Sequence, residues 1–372
     1  MSLRLTPDAD AEDLRQVVRD FLARHGDTEA VFGGLEHGWD AEVWRRFATE
    51  LGVVGLDVPE EHGGAGATFR EVAVVAEELG RSLVRLPWFS TAVLGVGVLL
   101  HADAPDLLAE LASGQVTATL AYLEGFDGWD PDAVGTVAEP DGPDGPDGSD
   151  GWRLSGAKTL VLEGDTANVL LVVATVAGEP AIFLVDEGAA GLVRRPLPTL
   201  DPTRPLAELL FDGAPATLVA GGARAIVPKV LDRARAALAA EQAGGAAAAL
   251  DMAVAYAAQR LQFGRPIATF QAIKHRCADM AVRVEAARSA ALWAAAAAAD
   301  APDELPVAAA TAALVCGEAY TWVAGETVQV HGGIGFTWEH PAHLHVRRAA
   351  TGAALFDTAA ASRDTLLHQL GV

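Results

Sequence analysis

From Phe270 the apolar residues Phe270, Ile273, Cys277, Met280, Val284, Ala287 and Ala291 recur three and four residues apart, over about six helical turns. A seam that narrow and that long cannot be buried by one helix alone. It calls for partner helices, either a bundle or a helix–helix contact between subunits. Two further long helices are expected beside it, over about Val227–Gln259 and Val307–Val330. The first third of the chain also reads helical. Leu14, Val17, Val18, Phe21 and Leu22 form one stripe. Thr68 with Glu71 makes a capping box ahead of Val72, Val75, Ala76 and Leu79, and Gly80 is the expected stop. Short helices are expected at Val93–Leu100 and Pro105–Ala112.

Between these helical thirds the period changes. From Thr117, short apolar runs such as Val169–Ala174 and Ala181–Val185 are broken by Gly, Asp and Pro, the pattern of strands joined by turns. Asp141–Gly151 is low-complexity and turn-forming, expected to be a mobile hairpin loop. The order is therefore helices, strands, then long helices, an α+β chain with boundaries near 1–116, 117–225 and 226–372.

At 372 residues, with 51% hydrophobic content, the chain can bury two or three cores. Its 50 acidic against 27 basic side chains leave a net charge of -23, which would repel a phosphate backbone over most of the surface. Nucleic acid and anionic membranes are thus not expected partners. Cys277 and Cys316 read as reduced core residues. The N-terminus runs straight into Pro7, Asp8 and Asp10, and no apolar stretch is strong enough to span a bilayer, so a cytoplasmic protein is expected.

The usual nucleotide and hydrolase signatures are missing: no Gly-x-Gly-x-x-Gly after a strand, no Walker loop, no Gly-x-Ser-x-Gly elbow, no His-Glu-x-x-His. His340, His343 and His345 cluster in sequence, but at no regular ligand spacing; a polar loop and helix start after Pro341 is the expected reading, with no metal.

Three ordered segments are more specific. Val58–Gly66 followed by Glu77-Glu78-Leu79-Gly80, then Arg260–Ile267 with Phe270-Gln271, then Gln329–Phe336 with Glu339 and Pro341, resemble the acyl-CoA dehydrogenase family in order and spacing, nearly over the whole chain. The resemblance implies an N-terminal helical domain, a β-barrel-like middle domain and a C-terminal four-helix bundle. It implies a homo- or hetero-oligomer, a dimer of dimers, that binds FAD at a subunit interface. The implied activity is α,β-dehydrogenation of an acyl-CoA, with electrons passed on to an electron-transfer acceptor. In the reaction so implied, a carboxylate takes the α proton and the flavin N5 takes the β hydride. Arg260, Phe263, Gly264 and Gln271 match the family segment at the adenosine end of FAD. Gln329, Gly332 and Gly333 match the glycine loop at the pyrophosphate, where only glycine lets backbone approach closely.

Other positions depart from the family pattern. Tyr122-Leu123-Glu124-Gly125 replaces a Thr-Glu-Pro-like turn, and Lys158–Leu162 puts Leu160 and Leu162 where the family has a tryptophan and a hydroxyl against the flavin. The two family positions for the base fall on Phe356 and Ala234, the latter beside a matching Arg235. Asp357 and Glu241 remain as candidate bases, the first alternatively a helix cap, the second alternatively one half of a buried ion pair with an arginine. Lys229, Arg233, Arg194 and Arg195 are candidate CoA phosphate contacts. Three readings stay open: a self-sufficient dehydrogenase, a subunit that completes a partner's FAD site, and a helical-bundle enzyme on CoA thioesters that uses no flavin redox.

Overall fold

A computed structural model describes residues 3–26, 39–142, 151–356 and 359–371. The chain divides into two compact units, residues 1–36, 68–85 and 232–372 in the first and 37–67 with 86–231 in the second.

The first unit is helical. It comprises α1 (Ala9–His25), α3 (Phe69–Ser82), the greater part of α6 (Ala223–Gln259), α7 (Gln271–Asp300), α8 (Leu305–His331), α9 (Ala342–Gly352) and α10 (Ala359–Leu370). The seam on α7 is real at its C-terminal half, where Met280, Val284, Ala287 and Ala291 are buried; Cys277, expected in the core, is half-buried. On α1 the buried stripe is Ala11, Arg15, Val18, Phe21 and Leu22, while Val17 faces solvent at 49% exposure. The capping box of Thr68 and Glu71 opens α3 as expected. Its expected stop is wrong by three residues: the helix runs on to Ser82, and Leu83 takes the left-handed cap. Gly80 has another task. A Cβ there would lie 1.9 Å from the carbonyl oxygen of Glu241, and one on Gly244 would lie 1.9 Å from that of Glu77, so α3 and α6 cross backbone on backbone. Against expectation, Leu305–Phe336, which is α8 with the turn after it, is long and apolar enough by composition to span a membrane, though 56% of its apolar window is buried within the protein.

The second unit carries α2 (Ala41–Arg45), a buried π-helical turn at Phe89–Gly95 running into α4 (Val96–Leu99), α5 (Pro105–Ala112) and the sheet. Strands β2 (Val137–Pro140), β3 (Trp152–Leu162), β7 (Leu206–Ala220), β5 (Glu179–Asp186) and β4 (Val169–Val176) pair in a closed ring, β4 meeting both β2 and β5. Closure removes free edges and makes the expected barrel. Strand β1 (Ala118–Ala121) adds to β4 in parallel, and β6 (Leu192–Pro196) adds to β7. The turn-rich Asp141–Gly151 does join a hairpin, since Val137–Pro140 pairs antiparallel with Trp152–Ser155; residues 143–150 lie outside the described residues.

Candidate active site

At the far end of α6 the chain turns through a two-strand ribbon, β8 (Leu261–Gln262) and β9 (Arg265–Pro266). Phe263 and Gly264 form its turn with φ of 54° and 75°. Left-handed backbone at both central positions suits the right-handed twist of the strands, but an aromatic residue there is strained. Phe263 is 90% exposed, its ring meeting the edge of Phe270 while Arg265 stacks over the latter at 4.3 Å. Tyr256 stacks on His331 with ring centroids 4.3 Å apart, which fastens the end of α6 to the end of α8. His331 hydrogen-bonds through Nδ1 to the Thr327 carbonyl at 2.7 Å, and burial pushes its pKa down. Arg276 and Glu326 form an ion pair that ties α7 to α8 nearby. The Tyr256–His331 stack was not legible beforehand, because the two lie far apart in sequence.

Immediately after His331, Gly332 takes φ of 66°, and a Cβ on Gly332 or Gly333 would meet nothing within 4 Å. Gln329, Gly332, Gly333, Arg260, Gly264 and Gln271 are all exposed here. The resulting end of the first unit offers bare glycine backbone, a guanidinium, two carboxamides and an aromatic ring. That set matches what a diphosphate joined to a flat base requires, so these residues fit the adenosine diphosphate half of FAD.

The candidate bases behave differently. Glu241 is buried on α6, and Arg348 Nε of α9 donates to its Oε1 at 3.0 Å. Of its two sequence readings, the buried pair with an arginine is the arrangement present, made within the chain. Arg235 donates through Nη1 to Asp232 at 2.6 Å and through Nη2 to the Phe356 carbonyl at 3.2 Å. Phe356 itself is left-handed, φ 62°, a strained backbone for an aromatic residue. Ala234 is fully buried. Asp357 lies outside the described residues. The histidines after Pro341 begin a helix as expected, but His343 and His345 are buried rather than exposed in a polar loop; Tyr320 and His345 Nδ1 hydrogen-bond at 2.9 Å, and burial lowers the His345 pKa to about 3.

In the barrel, the two departing segments are bound to each other. Between Lys158 and Val161 strand β3 carries one extra residue against β7, and Leu160 sits in this bulge with φ of 53°. Thr159 N donates to the Leu123 carbonyl at 2.8 Å. Lys158, fully buried, reaches Glu124 at 2.5 Å, and Glu124 also accepts from the Thr136 hydroxyl and the amides of Gly135 and Thr136. Burial lowers the Lys158 pKa to about 8 against the pull of that carboxylate, while the Lys158 and Thr136 hydrogen bonds outweigh burial and hold Glu124 below the usual range. Leu162 is buried. Among the CoA candidates, Arg194 donates to the Ala167 carbonyl, Arg195 to Glu208, Arg233 stacks over Phe69 and Lys229 is exposed.

The family models for the acyl-CoA dehydrogenase N-terminal and C-terminal domains match residues 8–104 and 221–365. The acyl-CoA dehydrogenase IpdE2 of Mycobacterium tuberculosis is 35% identical over 358 residues, covering 95% of each chain. The chain belongs to the acyl-CoA dehydrogenase family. Its fold is the family's, as the helical ends and central barrel had indicated, and it is an oxidoreductase of the acyl-CoA dehydrogenase type. A chain of the ChsE4-ChsE5 complex from Mycobacterium tuberculosis superposes with a TM-score of 0.87 at 28% identity, with 99% of both chains covered. A variant of the steroid acyl-CoA dehydrogenase Tcur3481-Tcur3483 gives 0.84 at 33% identity, covering 97% of this chain and 98% of that one.

Proposed function

We propose that this chain acts in FAD-dependent α,β-dehydrogenation of an acyl-CoA thioester as the subunit that completes the FAD site of an unlike partner chain. The observation that carries the reading is a division within one molecule. Arg260, Phe263, Gly264, Gln271, Gln329, Gly332 and Gly333 stand exposed at one end of the helical unit, open to a second chain. The barrel segments Tyr122–Gly125 and Lys158–Leu162, by contrast, are turned on one another through Lys158, Glu124 and Thr159. The two solved relatives named for pairs of chains support a heteromeric assembly.

Bound FAD supplies the hydride acceptor in this chemistry. The chain's own part is to bind and orient. Arg260 and Phe263 would hold the adenosine end, by charge and an aromatic face, and the Gly332-Gly333 backbone would let phosphate oxygens come close. Removal of the α proton needs an ionised carboxylate held near the thioester. Glu241 in this chain is engaged by Arg348, so we assign that proton transfer to the partner's chain.

The test is the visible spectrum of the protein with FAD counted per chain, expressed alone and then with candidate partner chains. The expected result is no flavin alone and one flavin per pair of unlike chains on co-expression. Gly333→Val should then lose that flavin without changing this chain's melting temperature. One FAD per chain in the protein expressed alone would overturn the proposal.

A further inference from the structure

The turn that carries Gly332 and Gly333 has little of its own to hold it. Three of its five residues, Gly332–Phe336, are glycine, and a Cβ on either of the first two would touch nothing within 4 Å. Glycine backbone has the most conformational freedom to lose, so other groups must fix this stretch. A column of three rings does so. Tyr256 at the end of α6 stacks on His331, the last residue of α8, and His331 meets His340, just ahead of α9, with centroids again 4.3 Å apart. The two histidines thus join the chain on either side of the turn. Gly335 folds back onto the same place, where a Cβ would lie 2.8 Å from that of His331.

His340 has a second contact. Its Nδ1 accepts the Ala342 amide at 3.2 Å, one of the donors that α9 leaves without an acceptor at its start. A ring nitrogen that accepts from an amide carries no proton, so His340 is neutral in this arrangement. Protonation there would set two donors against each other, free the Ala342 amide and put a cation beside His331. On α9, His343 Nδ1 accepts from Arg347 Nε at 3.3 Å, so that side already holds a cation. The other charged or titratable groups at this end are Tyr256 and Arg260 at the end of α6, exposed Glu339 in the chain before His340, and Arg276 of α7, which Glu326 of α8 engages. Burial, His331 and His343 all lower the His340 pKa from the ordinary 6.5. The ring is only half-buried, so a proton reaches it from solvent.

We propose that His331 and His340 are positioning residues for the glycine turn: with His340 neutral they join its two ends and hold Gly332–Phe336 in place, and protonation of His340 at Nδ1 releases it. This deepens the FAD reading above and rests on it for the ligand, since a released turn loses its grip on the diphosphate. The released turn binds the proton more readily than the closed one. The closed form is therefore fully held above about pH 6.5 and is lost as pH falls below it.

The test is hydrogen exchange of the full chain from pH 8 to 5.5, read by mass spectrometry and corrected for the intrinsic pH dependence of exchange. Amides over 332–344 should lose protection about fivefold in acid while those of α7 keep theirs. His340→Asn retains a side-chain acceptor for Ala342 but cannot take the proton, so its protection should be the same at both ends of the range. Flat protection in the wild type, or an acid loss that persists in His340→Asn, overturns the proposal. If that variant does not fold, histidine-selective NMR of the wild type carries the assignment: His340 should titrate at the midpoint of the exchange profile, and a different midpoint overturns it. In the assembled holoenzyme, FAD should leave faster in acid from the wild type than from His340→Asn. Flavin held more tightly in acid would mean that the imidazolium meets phosphate, and overturns the release. An assembly without FAD overturns the FAD reading instead, and the exchange profile still decides the turn.

Discussion

Buried charges are where single residues in this chain are most exposed to mutation. Glu241 and Arg348 are both buried, and removing one member of such a pair strands the other without water. Glu241→Gln should therefore cost about 3 kcal/mol in chemical denaturation. If Glu241 were instead the base, the variant would lose turnover in the assembled enzyme far beyond its loss of folded protein. Lys158 and Glu124 make an unequal pair, the ammonium fully buried and the carboxylate with a route to solvent. Glu124→Gln should accordingly destabilise more than Lys158→Met. The pH dependence follows from the lysine's pKa of about 8 in the fold against an ordinary 10.5. Between those values the unfolded chain binds more protons, so the lysine's contribution to stability rises with pH across that window. Thermal melts from pH 7 to 11 should show wild type gaining on Lys158→Met by up to about 3 kcal/mol; a constant difference would contradict the assignment.

Among the elements, the crossing of α3 and α6 has the least slack. Gly80 and Gly244 each face the other helix's carbonyl at a distance where a methyl cannot fit and no side chain can yield. Gly80→Ala or Gly244→Ala must push the helices apart, costing about 3 kcal/mol or more. Gly325, on α8, has open space around its missing Cβ. There the same substitution should stabilise by about 0.5–1 kcal/mol through helix propensity alone. Urea denaturation of the three variants compares contact with propensity directly, and a similar effect at all three sites would refute the close crossing.

For the whole molecule, the exposed apolar groups carry the next expectation. Phe263 is 90% exposed, Phe336 82% and Trp338 54%, and Leu261 joins them at the surface. Exposed aromatics of this kind are where a subunit contact is best tested. With a net charge of -23, non-specific association is opposed by repulsion, so association through this surface must be specific. Phe336→Ser should shift the sedimentation profile toward smaller species and leave the melting temperature of the dilute chain unchanged. An unaltered profile would place the subunit contact elsewhere.

Periodicity and turn chemistry alone told where helices and strands lie, because burial of one face imposes its repeat on the chain; the seam on α7, the capping box on α3 and the hairpin before Trp152 were all readable. Family segments likewise singled out Arg260, Gln329 and Gly332-Gly333 as candidates, and the fold leaves them exposed. What the sequence could not decide was which polar groups meet across long separations. Gly80 reads as a helix stop from its neighbours alone, and only the arrival of the Glu241 carbonyl shows it to be a packing residue. That Arg348, over a hundred residues away, comes to 3.0 Å from Glu241 could not be read from either segment alone. Local pattern records the free energy of burying a face, whereas a buried charge takes its meaning from the partner that the tertiary fold brings or withholds.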